Sequence, residues 1–165
     1  MMKHIGFLII IVLIILYISS YYHYPQNTSI LQTSVPQYNP DVLLQKQLLV
    51  IDDILANIDI VKEAWFSTNL STRFSMTGSE IWNNNMYKYL CMYAMTDGEL
   101  FYFPASKNKR IGPDGAPLDD ETIISINISA GQVVIVPRHY RYLIPEDMNV
   151  ECLGIHDYVS YLLPF

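Results

Sequence analysis

The sequence predicts a mainly β domain, a sandwich or barrel of short strands with one amphipathic helix at its N-terminal side and a single membrane-spanning helix ahead of that. Three observations lead there. An uncharged apolar run covers Ile5 to Ile18. Apolar residues then recur at helical spacing from Val42 to about Asn57. Beyond Asp59 the chain breaks into seven or eight short apolar runs separated by turn residues, the pattern of a β sandwich or barrel.

The first element is read as an anchor over residues 1–24. Ile5, Phe7, Leu8, Ile11, Leu13, Leu16 and Tyr17 would face lipid. The pure apolar run is short for a bilayer, but extended to Tyr24 it gives about 30 Å of helix. Tyr17, Tyr21, Tyr22 and Tyr24 then fall at headgroup level, which favours amphipathic rings. A cleaved signal peptide would suit a run of this length, yet no small-x-small cleavage site follows it. Lys3 precedes the span and the next cation is Lys46, so the expected orientation puts the N-terminus on the cytoplasmic side.

Residues 25–38 are polar, hold two prolines and lack periodicity, which reads as an extended linker. Residues 39–165 form the domain. Asn39-Pro40-Asp41 offers a capping side chain, a proline at the first helical position and an acid in the first turn. Leu44, Leu48, Ile51, Leu55 and Ile58 make one stripe of the expected helix, widened by Val50, Ile54 and Val61. Strands are expected over Ile60–Phe66, Tyr87–Met95 and "ELFYFPA", with Asp97-Gly98 as a hairpin turn between the last two. A long loop spans residues 106–120. Further strands are expected near Thr122–Ile128, Gln132–Val136, "YLIP", Val150–Ile155 and Tyr158–Leu163. Tyr87–Met95 and Val133–Val136 are apolar on both faces, so both faces are expected to be covered.

A formal charge of −6 and a pI near 5.0 disfavour binding to nucleic acid. The cluster Lys107, Lys109 and Arg110 lies in a loop close to Asp119, Asp120 and Glu121 and reads as solvated. Cys91 and Cys152 are too few for a disulfide framework and lack zinc-site spacing; a single bridge stays open. Asn27, Asn69 and Asn127 lie in N-x-S/T patterns, which arise often by chance.

"GQVVIVPRHYRY" (131–142) resembles the second motif of the cupin family, in which a glycine, a short strand and a proline lead into a metal-gripping histidine. "ELFYFPAS" (99–106) is similar to a strand end of the JmjC-like 2-oxoglutarate oxygenases within that superfamily. The resemblance covers about residues 80–165 and implies a jelly roll, the cupin-like double-stranded β-helix. It also implies where ligands would stand. Tyr142 takes the histidine position, and Asn83, Asn85 and Tyr87 in "NNNMYKY" take the others. An iron oxygenase of this kind needs H-x-D or H-x-E, and no such triplet occurs in the chain. Asparagine amides and neutral phenols are poor iron ligands. His139 and His156 are the fallback donors; adjacent His156 and Asp157 would point to opposite faces of a strand.

The expectation is therefore a degenerate cupin-like domain with no metal or cofactor and no catalysis, anchored in a bilayer and working by binding other proteins. The chain also resembles small anchored proteins of large DNA viruses. That resemblance implies a minor virion protein tying the inner membrane to capsid proteins. The alternatives are a divergent oxygenase using Fe(II) and 2-oxoglutarate, and a carbohydrate or small-ligand binding domain with a tyrosine-lined mouth.

Overall fold

The computed structural model describes residues 2–21, 29–37, 39–105, 111–118 and 123–157. The expected strand Tyr158–Leu163, the tyrosines at 22 and 24, Asn27 and the Lys107, Lys109 and Arg110 cluster lie outside the described residues.

Helix α1 runs Met2–Tyr21. Phe7 to Leu16 form an exposed apolar surface, with Phe7 65% and Leu16 61% exposed. Among the described residues no helix is long and apolar enough to cross a membrane.

Among the described residues the domain has ten strands: β1 Leu31–Thr33, β2 Leu49–Ile51, β3 Leu70–Thr77, β4 Asn83–Asn84, β5 Tyr89–Ala94, β6 Gly98–Pro104, β7 Ile124–Ile128, β8 Val133–Pro137, β9 Tyr140–Leu143 and β10 Asn149–His156. They form two sheets, ordered β1-β2-β8-β5-β10-β3 and β4-β9-β6-β7. The antiparallel pairs β3·β10, β4·β9, β5·β8 and β6·β7 are those of one long ribbon folded back at the β6–β7 connection. Rolling that ribbon sends its pairs alternately to the two sheets, and the result is a jelly roll. This is the shape that the cupin resemblance implies. Strands β1 and β2 extend the larger sheet past β8, with β1 parallel to β2.

The larger sheet is buried on both faces along β2, β5, β8 and most of β10. Its inner face meets the smaller sheet around Leu48, Leu90, Met92, Tyr102, Val134, Tyr142 and Cys152. Its outer face carries Leu49, Ile51, Cys91, Ile135, Leu153 and Ile155, covered by Val61 and Trp65 of helix α3 (Asp59–Trp65). The two covers account for the unbroken apolar runs of β5 and β8, and the expectation that both faces are covered holds.

Several expected elements differ. The helix at Asn39 starts as read, with the Asn39 side chain accepting from the Asp41 N–H at 2.9 Å, but α2 covers only Pro40–Leu44. Lys46 adopts φ +53° and ends the turn, after which Leu49–Ile51 enter the sheet. The stripe misled because residues 48–51 are apolar on both faces of a strand and so also satisfy helical spacing. Ile60–Phe66 is largely helix, not strand: the Asn57 side chain accepts from the Asp59 N–H, and Val61 and Trp65 share the buried face. Asp97-Gly98 marks a turn but not a hairpin, since β5 and β6 belong to different sheets. There β5 already has β8 and β10 as neighbours, so the chain crosses over. Strand β3 was not expected, and part of the expected linker is strand β1.

Leu44 is 72% exposed whereas Ile51 is fully buried. Ile51→Ala is therefore expected to cost about 2–5 kcal/mol and Leu44→Ala to stay within about 0.5 kcal/mol, as read from denaturant midpoints. Equal losses would restore the long helix.

Candidate functional site: the interior of the roll

Asn83 on β4 and Tyr142 on β9 are direct partners in the smaller sheet. Two of the sequence-predicted positions are thus neighbours across the smaller sheet. What surrounds them is packing. The Tyr142 hydroxyl donates to Met76 Sδ at 3.5 Å, and its β-sheet neighbour Tyr102 donates to Met92 Sδ at 3.6 Å. Cys152 lies in the same cluster, opposite Met92 on β5 and Phe74 on β3. Tyr140 is also buried, and its hydroxyl has no hydrogen-bond partner among the described residues.

Burial keeps these groups protonated. It pushes the Tyr140 phenol and the Cys152 thiol up to about 12, the latter with help from Glu151. The phenols of Tyr102 and Tyr142 also rise, through burial first and then their neighbours Cys152 and a second tyrosine. A neutral thiol is neither a nucleophile nor a good ligand near pH 7.

Asn85 is 6% exposed and fully engaged. Its Nδ2 donates to the Val136 carbonyl at 2.8 Å, its Oδ1 accepts from the Tyr87 N–H at 2.9 Å, and its own N–H donates to the Tyr140 carbonyl at 3.1 Å. This amide fastens the β4–β5 connection to β8 and β9. Asn83 turns its amide to the Ile81 carbonyl at 3.0 Å. Tyr87 stacks on Phe74 with centroids 5.6 Å apart and meets the His156 ring edge-on at 4.8 Å. It can lie there because residue 154 is glycine: a Cβ at that position would overlap the Tyr87 ring.

The fallback histidines sit elsewhere. His139 occupies the β8–β9 turn at φ +74°, where its carbonyl accepts from the Ala105 N–H at 2.7 Å. His156 closes β10. Among the described residues, no group of three or more His, Cys, Asp or Glu could hold a metal ion. The donors that converge on the interior are phenols, thioethers and a neutral thiol, which do not fit the two-histidine, one-carboxylate set an iron oxygenase requires. Cys91 and Cys152 belong to the outer and inner packing layers of the same sheet, and both are free thiols. Tyr102, Tyr140 and Tyr142 are buried, so their faces are closed to a sugar. A half-open groove of about 480 Å³ lies instead at the seam between β1–β2 and β7, lined by Gln32, Val50, Asp52, Ser125, Asn127 and Gln132 among others.

No family model matches the chain. No curated protein matches it either. Among solved structures it is similar to RmlC from Streptococcus suis in complex with dTDP-D-xylose, at 11% identity and a TM-score of 0.34, over 67% of this chain and 62% of that one. It is similar to dTDP-4-dehydrorhamnose 3,5-epimerase from Bacillus anthracis, at 10% identity and a TM-score of 0.31, over 55% and 54% of the two chains. It is similar to vicilin from Corylus avellana, at 11% identity and a TM-score of 0.32, over 81% of this chain and 31% of that one. The match thus spans about six tenths of the first of these proteins and about half of the second. The assignment of a jelly roll rests on the strand order.

Asn85→Ala is expected to cost about 1–3 kcal/mol, because two buried backbone groups lose their partner, whereas Asn83→Ala should be nearly silent. Urea titrations decide it. His156 gives a pH signature. Burial lowers its pKa, opposed by Asp157 and reinforced by Arg138. The unfolded chain therefore binds the proton more tightly than the folded one. Stability should fall as pH drops through the unfolded pKa of about 6.5 and level off below the folded value. His156→Gln should flatten that segment of the stability-pH curve.

Proposed function

We propose that this chain is a membrane-tethered, non-catalytic jelly roll whose work is attachment: α1 engages a lipid bilayer and the roll engages other proteins. The observation that carries this reading is the use made of the presumptive ligand positions. Asn85 spends its amide on backbone bonds, and Tyr142 fills the interior against Met76. A scaffold needs those groups for rigidity, and an iron site would need them as donors.

The exposed surface from Phe7 to Leu16 supports the tether, since a row of large apolar side chains in water is costly. With Lys3 before it, the segment would be a single-pass anchor with its N-terminus on the cytoplasmic side. The formal charge of −6 argues for protein rather than nucleic-acid partners. Taken with the resemblance to small anchored proteins of large DNA viruses, the finer reading is a minor virion component linking the inner membrane to capsid proteins.

Two measurements on the full chain test this reading. It should resist alkaline carbonate extraction and float with membranes. The double variant Ile11→Lys, Leu13→Lys should be released, because each lysine at the centre of a span costs about 2.5–3.5 kcal/mol. Purified chain should carry well under one iron per molecule and leave 2-oxoglutarate unconsumed. Near-stoichiometric iron that is lost on changing His139 or His156, with turnover of the co-substrate, would replace attachment by oxygenase chemistry.

A further inference from the structure

Of the three N-x-S/T patterns in the chain, one stands on the surface of the roll with its amide unused. Asn127-Ile128-Ser129 covers the end of β7 and the start of the turn that follows, and its middle residue is not proline. Side chains alternate along this segment. Ile126 and Ile128 enter the core, whereas Ser125, Asn127 and Ser129 are exposed. Among the described residues β7 is the last strand of the smaller sheet, so Asn127 has a strand neighbour on one side only, where it stands opposite Glu99. Its carboxamide is bonded to none of the described residues. Asn69 differs: it is half-buried after α3, and its Nδ2 donates to the His156 carbonyl at 3.5 Å. Asn27 lies outside the described residues.

The surface beside Asn127 has room for a large polar substituent. The groove of about 480 Å³ at the seam with β1–β2 is lined by Asn127 itself and by Gln32, Asp52 and Ser125. None of those three further side chains is bonded to a described residue. Gln132 spends both ends of its amide, on the Asp52 carbonyl at 3.2 Å and the Ser129 N–H at 2.9 Å, and so fixes the turn that carries the serine of the pattern. Ile30, Val50 and Ile126 add aliphatic surface to the same groove. A carboxylate, an amide and a hydroxyl beside aliphatic carbon match the mixed surface of a sugar ring, whose hydroxyls both donate and accept.

We propose that Asn127 is an N-glycosylation site and that the first sugar of the glycan lies in this groove. The inference rests on the proposed orientation, which sends the roll to the far side of the bilayer, where oligosaccharide transfer takes place. In that transfer the Asn127 Nδ2 attacks the anomeric carbon of a lipid-pyrophosphate-linked oligosaccharide, delivered by a transferase. The N–C bond forms, the amide loses one proton, and the C–O bond to the pyrophosphate breaks, its electron pair leaving with the lipid pyrophosphate. A glycan added during translocation must still be accommodated when the chain folds. At Asn127 it points away from Ile126 and Ile128 and displaces no hydrogen bond, whereas at Asn69 it would take the place of the contact with His156.

The test is synthesis of the full chain with microsomes, read as a step in apparent mass that peptide N-glycanase reverses. Asn127→Gln and Ser129→Ala should each remove one such step, Ser129→Thr should keep it, and Asn69→Gln should leave it in place. A pattern that Asn127→Gln does not change, or a glycan confined to Asn27 or Asn69, would overturn the site. Protease added outside the microsomes separates two kinds of failure. A protected roll with no glycan on Asn127 sinks the site alone and leaves the tether and its orientation standing; a digested roll sinks the orientation, and the site with it. The groove has its own readout. Glycanase should release the sugar from the native chain in neutral detergent more slowly than from the denatured chain. Gln32→Ala or Asp52→Ala should speed native release about two- to ten-fold, as loss of one hydrogen bond implies. Equal rates for the native chain and those variants would take the sugar out of the groove.

Discussion

The structure depends on burying one sheet from both sides. Strands β5, β8 and β10 each pack one face against the smaller sheet and the other against α3 and the segments before it. A strand in that position gains hydrophobic stabilisation from every residue, on the order of 1.5–3 kcal/mol per large side chain, where a half-exposed strand gains it from every second one. The cost is that every polar group there must be satisfied by the backbone ladder itself. That constraint explains why Cys91 and Cys152 behave as small apolar residues, and why alternation inward and outward keeps them apart. It also explains the indole of Trp65, which reaches the Val35 carbonyl at 3.1 Å and so pins the chain before α2 onto the outer layer.

The interior follows from the same constraint. A jelly roll encloses a space that must be filled either by side chains or by a site. Here it is filled with aromatic and sulfur-bearing groups, and the hydroxyls of Tyr102 and Tyr142 find only thioethers as acceptors. Such bonds are weak, so these rings are held mainly by their buried area. Where a strong polar bond does occur inside, it substitutes for missing ladder bonds. Asn85 imitates a peptide group at the point where the short β4 hands over to β5. Among the described residues, the interior is occupied by packed side chains.

How much of this was readable from the residues depended on what each signal measures. Strands β5, β6, β8 and β10 were legible because both-sided burial writes long apolar runs, and the glycine before β8 adopts φ +92°, as a tight turn needs. The same property hid β2, because residues 48–51 are all apolar and satisfy helical spacing as well. Strand β3 was invisible for the opposite reason: in "LSTRFSMT" Ser71, Arg73, Ser75 and Thr77 make the outward side, and Leu70 and Thr72 on the other side are exposed, so the apolar signal shrinks to Phe74 and Met76. Asp97-Gly98 encoded a turn but not which sheet the next strand would join, since that depends on how many edges β5 has left to offer. Of the candidate site, the resemblance named Asn83, Asn85, Tyr87 and Tyr142 as positions, but the pairing of Asn83 with Tyr142 across β4 and β9 comes from the strand register. Nor was the meeting of Lys46, Lys88, Arg138 and His156 at one end of the larger sheet legible, because they are separated by up to 110 positions and only the order of four strands unites them.

The surfaces of the roll differ in character. The edge strand β7 and the neighbouring groove offer hydrogen bonds from amides and a hydroxyl beside the carboxylate of Asp52. Across β3 and β10, Arg73 is held by Asp59 and Glu151, a pairing that satisfies its guanidinium and ties the start of α3 to the sheet. That arginine is committed to structure in a way a recognition residue should not be.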